Sequence, residues 1–588
     1  MAETPPGSAD TVPPCPPRPS SPSELGFVRR PMVRWLDPHQ LIDTAVRVLL
    51  SGVFSSYADN RELQALEPVE VPDRSGEADL WLDYVADVGD GWNSTYTVAR
   101  LLAAEELKLD WDGETHATER GRILVMGGDQ AYPVPTAVEY ENRLLGPYRA
   151  ALPCASGQAP ELFAIPGSHD WYDGLVNFTS IFCRSRWIGG WKTRQRRSYF
   201  AVKLPNGWWL WGIDIQFGSY IDEAQLQYFS DVAVNQVVPG DRIILCMAKE
   251  VESGRKQAEI HSDRDVQYLE REIIQPSGAR LLLSLKSGKH YYCRYEEEDG
   301  FRHHIRSGGG GAFLHPTHNL PERIELPGAE GAIAYRRAGT YPSPAVSKRL
   351  RKRIWLLPPY NLPLAGVFGG IHVLLAFMLG LQLGDRHVSL GLGDVRRAVW
   401  ESPTFFLLIL FMIVSLVGTV RFAHDARGVG RFLVGMIHST LQVTGVAGVM
   451  IGASWLSSAF GLRGGWSLVA FLSLVGLVGG IGGMVGLSGY LWATNCFGLH
   501  QTEGYGAQHH QDLKHFLRLH IEADGALTVY PIGVDRVGRK WTLCPDAPVH
   551  APWFAPHGPD PEPHLIEKPI TISGSPGQGD CEAAEGRV

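Results

Sequence analysis

No CxxC pair occurs among the eight cysteines, which stand at positions 15, 154, 183, 246, 293, 496, 544 and 581. Such scatter argues against a zinc ribbon or a disulfide framework and suits a reducing compartment. A cationic surplus is also missing, since 54 Lys and Arg face 62 Asp and Glu for a net charge of −8. Bulk electrostatic attraction to duplex DNA is thereby excluded, and no nucleic-acid partner is expected. The N-terminal stretch MAETPPGSADTVPPCPPRPSSPSE lacks the basic and apolar regions of a signal peptide. Its Pro and Ser content, with few apolar side chains to offset ordering entropy, predicts a disordered tail over 1–36. The C-terminal residues, 549–588, read as a second, mostly disordered tail.

Charge disappears altogether from four apolar stretches after residue 360, at 362–384, 403–420, 432–456 and 466–491. As a helix the first is ~34 Å long, enough to cross a ~30 Å hydrocarbon core. None has the polar face that a buried helix of a large soluble domain would show, so a four-helix transmembrane region over 346–498 and a lipid bilayer as partner are expected. The fourth stretch contains VGLVGGIGGMVGLSG, whose overlapping GxxxG spacings let backbones approach closely in lipid. Tight packing within the bundle is the plainer reading; a homo-oligomer through this helix is the other. The flanks carry eight cations on one side (Lys348, Arg349, Arg351, Lys352, Arg353, Arg421, Arg427, Arg431) against four on the other (Arg386, Arg396, Arg397, Arg463). That asymmetry predicts an integral membrane protein of four spans with its soluble domain on the cytoplasmic side.

Residues 37–345 alternate apolar strands with amphipathic helices, which predicts an α/β fold, a β-sandwich flanked by helices. HFLRLHIEADGALTVYPIGVD reads as a hairpin turning at Asp524-Gly525, so 499–548 is expected to pack back on the soluble domain. Trp208, Trp209 and Trp211 read as sheet packing. The glycine run in SGGGGAFLHPTH lacks the Lys-Ser/Thr of a P-loop and reads as a tight turn rather than a phosphate cradle. Five histidines in LHQTEGYGAQHHQDLKHFLRLHI fit no regular zinc spacing and read as a juxtamembrane helix.

Chemistry-bearing residues collect at the carboxyl ends of the strands. ADVGDG supplies Asp87 and Asp90, GGDQAYP supplies Asp129, IPGSHD supplies Ser168, His169 and Asp170, and KSGKHYY supplies His290. Carboxylates and imidazoles at successive strand ends can converge on one site. Such oxygen and nitrogen donors suit divalent Mn, Fe or Zn, alone or as a dinuclear pair.

On these blocks the chain resembles the calcineurin-like metallophosphoesterase superfamily over about residues 79–315. Its apolar region is similar to that of multi-pass, membrane-anchored bacterial proteins carrying such a domain. The resemblance implies metal ligands at Asp87, Asp129 and His290, with His169 as general acid to a phosphate-ester leaving group and Asp170 orienting it. The family pattern is not complete. Gly89 stands where DxH has its His, leaving Asp90 as a substitute oxygen. Ser168 replaces the ligating Asn of GNH(D/E), and the fourth block, ILCMAKEVESG, has no His and offers Glu250. Two readings therefore stand: a metal-dependent phosphoric ester hydrolase, or a catalytically degenerate phosphoesterase fold serving as ligand-binding sensor or scaffold.

Overall fold

The computed structural model describes residues 12–573 except 55–63, 65–66, 156, 216–220, 249–264, 299, 329–330, 384–392, 394–395, 397–399, 401–404, 427 and 460–464. Glu250 falls outside the described residues. Two large mixed sheets organise the rest of the α/β region. The first places strands Leu80–Val85, Ile123–Met126 and Glu161–Ala164 side by side and parallel. The second runs Trp208–Ile213, Arg242–Met247, Arg280–Lys286 and His303–Ser307 in parallel. Parallel strands bring their carboxyl ends to one edge of each sheet, where loops can supply a site.

Period-two alternation assigns each strand two faces. Leu82, Tyr84, Val125 and Phe163 of the first sheet share one buried cluster with Val202, Trp208, Ile244, Leu283 and Ile305 of the second. Their neighbours Val85, Leu124 and Leu162 face outward into a layer that includes Tyr96, Val98 and Leu102 of helix Trp92–Ala103. Trp209 and Trp211 pack outward on Phe229 and Val232 of helix Glu223–Asn235. Helix Trp92–Ala103 has Gly91 at its N-cap.

The chain after the apolar region completes the first sheet. Strand Lys514–Ile521 pairs antiparallel with Leu80–Val85 and with Leu527–Val534, turning at Asp524-Gly525 where Gly525 has φ 87°. Arg518 of this strand is fully buried; its Nε donates to Asp83 Oδ1 at 3.0 Å and its Nη1 to Thr118 O at 3.0 Å. Tyr341, just before the apolar region, donates to Asp535 at 2.7 Å, just after it. Both flanks thus belong to one folded body, and a bilayer crossed by the intervening helices is crossed an even number of times.

Within the described residues, 12–36 and 549–573 make ordered contacts where the composition predicts disorder. Arg18 donates to Pro548 O at 2.7 Å and Ala551 O at 2.9 Å, and Cys15 closes a disulfide with Cys154 across 139 residues. Short strands Phe554–Pro556, Pro563–Leu565 and Ile570–Ile572 follow at the other end. Composition describes average apolar content; it does not register one Arg that finds four carbonyls, nor two cysteines too far apart to show a motif.

Beyond residue 360 lie helices Leu362–Leu383, Phe405–Phe422, Gly428–Ala459 and Gly465–Asn495. Two helical stretches, Gly428–Ser457 and Gly465–Asn495, are long and apolar enough to cross a membrane. Helix Pro344–Tyr360 meets Leu362–Phe377 at a 63° bend, and Met412–Phe422 is a shorter apolar helix. The glycine face expected to serve packing is used inside the chain. A Cβ on Gly480 would lie 2.7 Å from Ala365 O, and one on Gly369 2.5 Å from Gly476 O, so the two backbones touch.

Candidate functional site

Asp87 and Asp129 end their strands in the left-handed region, with φ 56° and 51°. Asp tolerates this conformation better than most residues, and the turn aims both carboxylates back across the strand ends. Glycine lets the neighbouring loops close in. A Cβ on Gly167 would lie 2.2 Å from Asp129 Oδ1, and one on Gly308 2.3 Å from Asp87 Oδ2. The glycine run therefore lies against the Asp87 loop, with Gly310 N donating to Ala86 O at 2.9 Å and Ala312 N to Asp87 O at 2.8 Å.

Asp87, Asp129 and His290 come together, and what joins them is Tyr132. Its buried hydroxyl lies 3.0 Å from Asp87 Oδ1, 3.3 Å from Asp129 Oδ2 and 3.2 Å from His290 Nε2. Burial, then the charges of Asp129 and Asp87, push the phenol well above its ordinary pKa, so it stays a hydroxyl. Burial, then Lys289, holds the His290 imidazole well below its ordinary value, so it is neutral. Asp87 Oδ2 also accepts from Gly288 N at 3.1 Å, and Asp129 Oδ1 from His169 N at 2.8 Å.

His169 stands at the rim, half-buried. Its Nδ1 lies 2.8 Å from Pro133 O. A carbonyl only accepts, so Nδ1 carries a proton, which leaves Nε2 as the nitrogen able to take up and pass on a second one. The expected orienting role of Asp170 is not observed, because the backbone delivers that carboxylate elsewhere. It is buried and accepts from Gly167 N at 2.8 Å, Gln130 N at 3.2 Å and Tyr140 Oη at 2.5 Å, binding the two catalytic-type loops to each other. Burial first, and the Asp129 charge next, push it up to about 8.

Asp90 is likewise no substitute ligand. Its two oxygens accept from Val33 N at 2.8 Å and Phe313 N at 3.0 Å, so it clamps the N-terminal segment to the glycine-run loop. The clamp places Trp35 edge-on over the site, with ring centroids 5.7 Å from Tyr132, 5.7 Å from His169 and 5.3 Å from Phe313. Ser168 is half-buried beside His169. Tyr132 and Trp35 were not visible as site residues in the sequence; the position of Tyr132, three residues beyond Asp129 in a site loop, was the one available signal.

These residues do not fit a dinuclear metal centre. Metal–oxygen and metal–nitrogen bonds are ~2.0–2.2 Å long, and the point equidistant from Asp87, Asp129 and His290 is filled by the phenol oxygen. Among the described residues, two other clusters bring three ligand atoms within 4.8 Å of one another, and this trio is not one of them.

No known protein family and no curated protein matches the chain in sequence. In structure it is similar to GAP50, the anchor in the inner membrane complex of Plasmodium, with 12% identity and a TM-score of 0.30 over 41% of this chain and 74% of that one. It is also similar to PhoD, with 11% identity and a TM-score of 0.28 over 41% of this chain and 59% of that one. Scores of this size carry no argument about function, which rests on the residues of this chain.

Proposed function

We propose that the chain is a membrane-anchored protein on a phosphoesterase-like fold whose site no longer runs two-metal hydrolysis, and that it acts as a ligand-binding sensor or scaffold. The observation that carries this reading is the Tyr132 hydroxyl among Asp87, Asp129 and His290. A side chain bonded there satisfies the groups that metal ions would otherwise bridge, and Trp35 covers the same loops. The four apolar stretches fit the even number of crossings, and the eight-to-four cation asymmetry favours a cytoplasmic soluble region, whereas the Cys15–Cys154 disulfide favours an oxidising compartment.

A second reading is the metal-dependent phosphoric ester hydrolase, acting on a phosphate-ester substrate with Mn, Fe or Zn. It is favoured by His169, whose available Nε2 suits proton transfer to a leaving group. It requires Tyr132 to leave its present place. The two readings separate in one experiment on the full-length protein in detergent. Metal content and hydrolysis of an activated phosphodiester and a phosphomonoester are measured for wild type and Asp129→Asn, with Mn and Zn supplied. The scaffold reading expects equal metal content and no turnover in either. Metal-dependent turnover that Asp129→Asn removes would reject it in favour of the hydrolase.

A further inference from the structure

The five histidines that follow the last apolar helix fit no regular zinc spacing in the sequence, but the fold brings one of them to a partner outside the run. His500 is fully buried, and its Nδ1 has no hydrogen-bond partner. Glu503 Oε2 lies 3.8 Å away, also buried and without a hydrogen bond. His424, in the turn after helix Phe405–Phe422, brings its Nε2 to 3.7 Å from Glu503 Oε1 and 3.4 Å from Asp425 Oδ1. We propose that His424, His500 and Glu503, with Asp425 beside them, form a site for one divalent transition-metal ion, zinc being the first fit.

Three features support this beyond proximity. The first is spacing: four ligands held tetrahedrally at about 2.1 Å from a metal lie ~3.4 Å from each other. The observed separations of 3.4–3.8 Å are too long for hydrogen bonds and close to that figure. The ligand atoms of His424, His500 and Glu503 all lie within 4.8 Å of one another.

The second is how the imidazoles are held. His424 Nδ1 lies 2.9 Å from Phe422 O, which can only accept, so Nδ1 carries a proton and Nε2 is the nitrogen turned to the cluster. His500 Nε2 lies 2.9 Å from Tyr490 Oη, and the Phe422 ring stacks on the imidazole at 4.6 Å. In the tautomer whose Nε2–H donates to Tyr490 Oη, the lone pair of Nδ1 faces Glu503. A ligating histidine that donates its second nitrogen to an outer partner is the usual arrangement at metal sites.

The third is the donor set. Imidazole nitrogens and a carboxylate oxygen that has no hydrogen-bond donor are what a divalent ion would complete. Nitrogen and carboxylate donors without thiolate suit a borderline ion such as zinc.

The ion would tie the turn after Phe405–Phe422 to the segment joining Gly465–Asn495 to strand Lys514–Ile521, and so link the apolar helices to the central sheet. The test uses full-length protein in detergent, stripped with chelator, then dialysed against trace zinc or cobalt. His424 is half-exposed, so His424→Ala leaves folding intact. Wild type should retain one zinc at this site and give a tetrahedral cobalt spectrum without a thiolate charge-transfer band. His424→Ala and His500→Ala should lose at least the roughly 10–100-fold in affinity that even an outer partner's loss brings. Asp129→Asn and Cys15→Ser should leave this zinc in place, which separates the site from the Tyr132 region and from the Cys15, Cys154 and His550 cluster. Wild type that retains no zinc, or His424→Ala that binds as tightly as wild type, overturns the proposal.

Discussion

Replacing Tyr132 by Phe removes one oxygen from the middle of the candidate site. That oxygen has three neighbours at 3.0–3.3 Å but a single proton. The proton goes to Asp87, the nearest acceptor, and the neutral His290 can return a hydrogen bond from Nε2–H to the phenol oxygen. Asp129, at 3.3 Å, shares the first bond weakly. The hydroxyl thus makes one bond to a charged group and one to a neutral group, worth about 1.5–3 and 0.5–1.5 kcal/mol net. Tyr132→Phe should therefore destabilise the soluble region by about 2–4.5 kcal/mol. Asp87 keeps Gly288 N and Asp129 keeps His169 N, so the backbone should hold its course. The assay is urea unfolding in detergent, followed by tryptophan fluorescence, comparing midpoints at constant slope. An unchanged midpoint would show that the hydroxyl is idle, and the case for its standing in for metal would fall with it. Tyr132→Ala removes the ring as well. If the argument holds, this variant binds Mn or Zn at Asp87 and Asp129 better than wild type does.

Arg518→Met should cost about 3–5 kcal/mol by leaving Asp83 buried without its cation, whereas the double change Asp83→Val, Arg518→Met should recover most of that loss; equal unfolding midpoints for single and double variants would contradict this. Asp170 is raised in the fold to about 8, while in the unfolded chain it ionises near ~3.9. The folded state holds a proton the unfolded state has lost, so the contribution is present below about pH 4 and fades as pH rises through 8. Asp170→Asn should flatten that decline, as read from unfolding midpoints across pH 4–9, and an identical slope in the variant counts against the shift. Cysteine-accessibility labels placed after Tyr341 and after Arg536 should report the same side of the membrane, the cytoplasmic one; opposite sides would break the even-crossing argument, and a shared outer side would reverse the orientation.

Where the sequence proved readable, the information was local. Apolar runs such as LWLDYV and ILVM ending in Asp-bearing loops marked both the strands and the ends that carry Asp87 and Asp129. The Asp524-Gly525 hairpin was equally visible. Misreadings arose where a side chain's partner comes from far along the chain. By sequence Asp90 reads as a spare ligand, but its partners Val33 and Phe313 lie 57 and 223 residues away. The carbonyl that holds His169 comes from Pro133, 36 residues upstream, which left Asp170 free to tie loops instead. Hairpin Glu106–Trp111 and Glu114–Glu119 was legible in part, because ELKLDW alternates charged with apolar residues and buries Leu107 and Leu109. Tyr132 reads as one more core aromatic until its hydroxyl is located.

The pairing of Leu80–Val85 with Lys514–Ile521 also sets a timetable for biogenesis. The two strands are roughly 430 residues apart in the chain, so at about 5–20 residues per second the ribosome needs some 20–90 s between them. Through that interval the edge of an apolar central strand has no neighbour on one side, while every apolar helix is still to be made and inserted. An open edge of this kind is a template for wrong pairing. The nascent domain therefore depends on a holding factor, or on early pairing of Leu80–Val85 with Ile123–Met126 alone, until the last strand arrives from the far side of the membrane region.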